Sequence, residues 1–372
     1  MLVEIIALLA LASPANAQSA RQGGRAPLFE NLAHQAEAAR DTKRLDEALT
    51  LYKRALELKP TWEDGWWNAG SIAYDLDKDT ECAADFRSLA ALKPDLAPAW
   101  TMEGLCEYQL RDYDAALKSL TQVERMGFRE NPELSHAARL HLALVLTKLG
   151  YFEKAIVLLY RLTSIERQKT NEIIVAIGIA GLRKPWIPPE VPESEQGKVF
   201  KLGDAMATFM AGGDTKGAFD EFEAALREYP KEPDFHYRFG AFLLEQDPDR
   251  GVEEIKKTLD LEPDHIPALL ALARTYLKRS EPQTALPYAE KAVMLSPGDL
   301  TAHIALGQAL LATGDAAGAA RELALVAGLA PESPAAHYSL AQAYAKLGHN
   351  ADAAREREAF ELARKTMDLT KE

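Results

Sequence analysis

Cysteine is nearly missing from this chain: Cys82 and Cys106 are the only two among 372 residues. Two thiols exclude a disulfide-stapled small scaffold and any zinc site built on four thiolates. A surplus of positive charge is also absent. Lys and Arg number 43 against 56 Asp and Glu, a formal net charge of −13, which argues against nucleic acid or an anionic membrane surface as partner. Long apolar runs are lacking too. Ile5 to Ala12 is the apolar core of the N-terminal stretch and is too short to span a bilayer. No nucleophile elbow and no paired-cysteine metal spacing occurs. Gly212 to Gly217 has the glycines and lysine of a phosphate loop, but not their order, and it falls at a turn between helices.

What the chain has instead is a repeating unit, clearest from Leu300 to Pro331. With Leu300 as position 1, His303, Leu306, Gly307 and Leu310 (positions 4, 7, 8 and 11) share one helical face. Gly314-Asp315 breaks the helix, and Ala319, Leu323 and Val326 form the stripe of a second one. Pro331, at position 32, stops it. Position 20 is small throughout: Ala48, Cys82, Ala116, Ala155, Ala218, Gly251, Ala285, Ala319 and Ala353. Position 8 is Ala or Gly everywhere except Met206. Two helices folded into a tight hairpin need small side chains where their axes come closest. Prolines recur at Pro60, Pro94, Pro230, Pro263, Pro297 and Pro331. Their intervals of 34 and once 33 place a lost residue at the turn around Gln246–Asp249.

This pattern resembles the tetratricopeptide repeat family: small residue at 8, Ala at 20 and Pro at 32 on a 34-residue period, with Trp66 and Trp100 at the family's tryptophan position. The resemblance implies an all-α, right-handed superhelical solenoid of about nine helix-turn-helix repeats, with a concave groove that holds peptide segments and no chemistry of its own. The family's clamp for terminal carboxylates needs Lys, Asn and Arg at set positions. Only Asn68, Arg238 and Arg274 fall among them, so that clamp is not carried over.

The repeats divide the chain. Residues 1–17 read as a secretory signal with Ala15-Asn16-Ala17 as its cleavage site, and 18–27 as a disordered polar leader. Residues 28–167 hold four repeats, a first arm with an insertion near Glu130–Ser135. The register is lost over 168–198, where an apolar helix at Asn171–Leu182 has no matching second helix. Pro185, Pro188, Pro189 and Pro192 follow it around Trp186 and Ile187. That stretch is a packed connector, a mobile hinge or a docking loop. Residues 199–367 hold five repeats, a second arm ending in the charged cap Arg355–Glu358.

Candidate site residues follow from the groove. Positions 5 and 12 of the first helices supply Trp67, Tyr74, Tyr108, Tyr237 and Tyr338, large aromatics suited to anchoring a partner or to packing between helices. Cys82 and Cys106 fall near one inter-repeat interface, where they either bridge or fill space. His236, His303 and His337 all occupy position 4. No acidic or thiol partner is seen to recur with them, so they read as packing residues rather than metal ligands. The expectation is a non-catalytic scaffold of the cell envelope that binds a protein or peptide. It needs no cofactor or metal, binds no nucleic acid and has no membrane span in the mature chain. The alternative is a carbohydrate-binding accessory of a polysaccharide secretion system.

Overall fold

A computed structural model describes residues 14–127 and 132–369. The apolar core of the expected export signal lies outside the described residues. These residues form helices joined by short turns, with no strand among them. In chain order the helices are α1 (Pro14–Asp41), α2 (Leu45–Leu58), α3 (Glu63–Asp75), α4 (Asp79–Leu92), α5 (Ala97–Gln109), α6 (Tyr113–Met126) and α7 (Pro132–Lys148). There follow α8 (Phe152–Glu166), α9 (Asn171–Gly181), α10 (Glu193–Gly212), α11 (Thr215–Glu228), α12 (Pro233–Leu243) and α13 (Pro248–Leu261). The last are α14 (Ile266–Lys278), α15 (Pro282–Leu295), α16 (Leu300–Thr313), α17 (Ala316–Leu329), α18 (Pro334–Lys346) and α19 (Asn350–Leu369). Consecutive helices pack as hairpins, the expected all-α solenoid of helix pairs.

The turn between the helices of a pair has one physical requirement. Its position 15 takes a left-handed backbone, met by glycine at Gly150, Gly213, Gly314 and Gly348 and by Lys43, Asp77, Arg111 and Ser280 elsewhere. The turn between α12 and α13, one residue shorter, has no such residue. Asp112, Asp214 and Asp315 then cap α6, α11 and α17 by accepting from backbone N–H groups. At the hairpin crossing, the position-20 residues Ala48, Cys82, Ala116, Ala155, Ala218, Ala285 and Ala319 are fully buried. Helix–helix distance is set there, because a larger side chain would push the axes apart.

The chain divides into two compact units, Met1–Val145 and Leu146–Glu372. In the first, Cys82 on α4 and Cys106 on α5 are joined in a disulfide with Cα atoms 5.9 Å apart, so the two do not merely fill space. In the second, the irregular stretch 168–198 lies inside the unit rather than between two arms. α9 does have a partner: α10 packs along it, and α8 touches both. A Cβ added at Gly178 would run into the Val199 carbonyl, and one at Gly203 into the Ile174 carbonyl, so glycines on both helices allow this approach. The proline run is a packed connector. Ile187 is buried, Pro188–Glu190 forms a 3-10 turn, and Glu190 pairs with Lys148 at 2.6 Å. The stretch 18–27, expected to be disordered, is part of α1. Extending an existing helix avoids the nucleation cost that an isolated polar segment must meet.

Candidate protein-binding wall

The aromatics chosen from sequence part company in three dimensions. Tyr108 is only 9% exposed, its ring edge-on to Tyr113 and to His141 at centroid distances of 5.9 and 4.9 Å. Tyr237 is 5% exposed, pressed against His265 and under the Arg238 guanidinium, and burial pushes its phenol up to about 12. Neither offers surface to a partner, because each fills the space between neighbouring first helices. Trp67 is half-buried, edge-on to Phe86 at 5.4 Å and part of the first unit's core. Tyr74, 36% exposed, and Tyr338, 53% exposed, remain at the surface.

Two of the three residues that matched the family's clamp are spent inside the fold. Asn68 accepts from Arg40 at 2.8 Å and donates to the Asp64 carbonyl at 2.7 Å. Arg238 is buried, donating through both terminal nitrogens to Glu153 (3.1 and 2.9 Å) and through Nε to the Gly181 carbonyl at 3.2 Å. Burial disfavours its charge, but the Glu153 carboxylate outweighs that and the guanidinium's pKa is raised. The arrangement ties α12 to α8 and α9. Arg274 alone stays exposed.

The position-4 residues do have a recurring acidic partner, contrary to the sequence expectation. His236 meets Glu254 at 2.8 Å and the Pro230 carbonyl at 3.0 Å; His303 meets Glu322 at 2.7 Å and the Pro297 carbonyl at 2.9 Å. His337 spans Glu356 and the Pro331 carbonyl at 2.6 and 3.0 Å. Each glutamate stands at position 23, on the second helix of the same repeat, and a position-by-position reading of the second helices would have found it. Trp66 and Trp100 use the same slot with a single donor, to the Pro60 and Pro94 carbonyls at 2.7 and 3.0 Å. For His236 and His303 both ring nitrogens face acceptors, which suits the doubly protonated ring. Burial works against that charge, while the carboxylate and carbonyl outweigh it and raise both pKa values. This is packing chemistry, and no group of three or more His, Cys, Asp or Glu among the described residues is placed to hold a metal.

A buried acidic group in the first unit is also structural in make-up. Arg87 on α4 donates to Glu103 at 3.0 Å and to Glu107 at 2.6 Å on α5, and Ser119 on α6 donates to Glu107 at 2.7 Å. Burial, with Glu107 beside it, pushes Glu103 up to about 7. Burial likewise pushes Asp85, paired with Lys53, up to about 6. Glu103 and Glu107 sit at positions 7 and 11, so repeat three carries charge where repeat two has Ala69 and Ala73 and repeat four has Leu142 and Leu146.

The surface left for a partner lies in the second unit. α14 touches α16 and α16 touches α18, while α15 and α17 have no comparable contact, so the first helices line the inner side of the stack. Position 5 holds Leu270, which is buried, then Ile304, half-buried, and Tyr338, exposed; one turn on, position 9 presents Arg274, Gln308 and Gln342. Gln308 donates to Ser339 at 3.3 Å, which fixes one amide of this row. The sequence reading counted position 9 and its Arg274 in the concave wall but drew its candidates from positions 5 and 12, leaving Gln308 and Gln342 unnamed.

One tetratricopeptide repeat model matches residues 101–164 and 270–334, and a second matches 29–61. No curated protein matches. Among solved structures, MamA 41-end from Desulfovibrio magneticus RS-1 is similar at 21% identity and a TM-score of 0.42, over 48% of this chain and 99% of that one. MamA from MSR-1 gives 20% and 0.39, over 45% and 97%. Scores this low lend no weight to any shared partner. No helix of the described residues is long and apolar enough to cross a membrane. The matched repeats, the hairpin crossings at position 20 and the shared position-4 bond to the position-32 carbonyl agree: the chain is built on tetratricopeptide repeats.

Proposed function

We propose that this protein is a non-catalytic scaffold that holds a segment of another protein against the inner wall formed by α14, α16 and α18. The repeats make it a protein-interaction scaffold, and one observation carries the placement. Tyr338, its ring against Phe360, stays 53% exposed at the position that Ile304 holds one repeat earlier, while Tyr108 and Tyr237 are consumed by packing. Exposed aromatics on a preformed surface offer contact area at low entropy cost. The setting we propose is outside the cytoplasm. The Cys82–Cys106 disulfide supports this, since such bonds persist in oxidising compartments, as does the small-residue site Ala15-Asn16-Ala17. Mass spectrometry of the native N-terminus tests it: a chain beginning at Gln18 is expected, and retained Met1 on cytoplasmic protein refutes export.

The binding test is a photo-crosslinking amino acid placed at Tyr338, with the same probe at Met294 on α15, 68% exposed, as control. A crosslinked protein from the native source at 338 and not at 294 is expected. Equal labelling at both positions, or none at 338, overturns the placement. Tyr338 flanked by Gln342 is also a surface on which a sugar ring stacks. That reading has a single platform, and soluble polysaccharide failing to quench tyrosine fluorescence would dispose of it.

A further inference from the structure

The part of the inner wall formed by α14, α16 and α18 is free of acidic residues. Ile266–Lys278, Leu300–Thr313 and Pro334–Lys346 contain no Asp or Glu, although these make up 56 of the chain's 372 residues. The same three helices carry Arg274, Lys278 and Lys346, all exposed. None of the three meets a carboxylate among the described residues. Arg274 donates only to the Leu270 carbonyl at 3.3 Å, and Lys346 to the Leu311 carbonyl at 3.0 Å. Some other surface cations of this unit are paired, as in Lys216–Asp220, Lys201–Glu228, Lys291–Asp264 and Arg355–Asp352.

Lys278 and Lys346 stand in the last turn of their helices, where a cation complements the helix dipole. Arg274 sits mid-helix, where no dipole calls for it. Its guanidinium has the fork geometry that takes a carboxylate through two bonds. The residues also share a register. Leu270, Arg274 and Lys278 are spaced i, i+4, i+8, and so are Tyr338, Gln342 and Lys346. With Leu270 buried, Ile304 and Tyr338 form the apolar margin of the wall, and Arg274, Lys278 and Lys346 the cationic one.

We infer that the segment held by this wall is acidic, with two carboxylate side chains flanking an apolar or aromatic residue. This rests on the reading that α14, α16 and α18 form the docking wall. Two interaxial steps of roughly 10 Å separate α14 from α18. An extended chain covers that distance in about six residues. One carboxylate meets Arg274 and Lys278, the other meets Lys346, and the residue between them lies on Ile304 and Tyr338. Charge complementarity with these three cations favours an acidic segment here, although the chain as a whole carries a formal −13.

The test is selection of a random heptapeptide phage library on the immobilised full-length protein, repeated on Tyr338→Ala and on the double variant Arg274→Glu, Lys346→Glu. All three residues are exposed, so melting temperatures are expected to stay at the wild-type value. Enrichment of peptides with two Asp or Glu five to six positions apart is expected. The best of them should bind at least tenfold more weakly to the charge-reversed protein, and more weakly as salt is raised. Peptides that need Tyr338 but show no acidic bias overturn the charge inference and leave the docking wall standing. Peptides indifferent to Tyr338→Ala, or no enrichment at all, overturn both. Single-stranded DNA binding as tightly as the best peptide, and lost in the same double variant, reduces the wall to a general anion patch and also overturns the inference.

Discussion

Raising the pH should loosen the second unit through His236 and His303, and the geometry sets the size of the effect. Each ring donates to a glutamate and to a proline carbonyl, so each is held in the charged form and its pKa is raised. The other charges facing them are Lys257, which opposes the charge on His236, and Asp299, which favours that on His303. A histidine whose folded pKa lies above its ordinary 6.5 binds more protons folded than unfolded. Its stabilisation is therefore complete below 6.5 and disappears as pH rises through the folded value. Losing one charge-assisted bond costs about 1.5–3 kcal/mol in a dry site. Glu322 is 26% exposed, so water recovers part of that and about 1–2 kcal/mol per site remains. The two sites lie in different repeats and should add, giving about 2–4 kcal/mol, or a fall in melting temperature of roughly 5–15 °C. Circular dichroism melts between pH 5.5 and 8.5 measure it. Glu103 and Asp85 act in the same direction, since buried carboxylates with raised pKa values also cost stability as they ionise. The decisive comparison is therefore with the double variant His236→Gln, His303→Gln, whose amide N–H can still reach the proline carbonyl but does not titrate. It should lose most of the pH slope above 6.5. If the double variant keeps the wild-type slope, the reasoning is wrong.

Other outcomes follow from the packing. Reducing Cys82–Cys106, which closes a stretch with a sequence separation of 24, should destabilise the first unit by about 3–3.5 kcal/mol in urea titrations, and leave the second unit's transition in place. Trp67→Ala should cost about 2–4 kcal/mol because its ring lies on Phe86, whereas Tyr74→Ala should shift the midpoint by under about 0.5 kcal/mol; equal effects would contradict the assigned burial. Gly203→Ala should separate α9 from α10 at a cost of about 3 kcal/mol or more, visible as faster hydrogen exchange in α9. Limited proteolysis should spare 183–198, since Ile187 and the Lys148–Glu190 pair hold that connector down; early cleavage there would contradict it.

The repeat unit was legible in the sequence because each element of it is local. A small residue at position 20, a turn at 15 and a proline at 32 act within one hairpin, and their period alone requires helix pairs stacked on their neighbours. The shorter turn before Pro248 could be counted from proline spacing. Side-chain fate is not local, and here only the tertiary structure decided. Tyr108 and Tyr338 occupy comparable first-helix positions, yet His141 and Tyr113 bury one while the other, against Phe360 alone, stays 53% exposed. Arg238 and Arg274 look alike as exposed-face cations, but Glu153 and the Gly181 carbonyl take the first into the interior. The pairing of α9 with α10 was likewise invisible to a period of 34, because it depends on two glycines 25 positions apart, Gly178 and Gly203, meeting across helices that follow no repeat. Periodicity determines which residues face the next helix; whether that helix leaves room for solvent depends on the side chains it brings, and those come from another repeat.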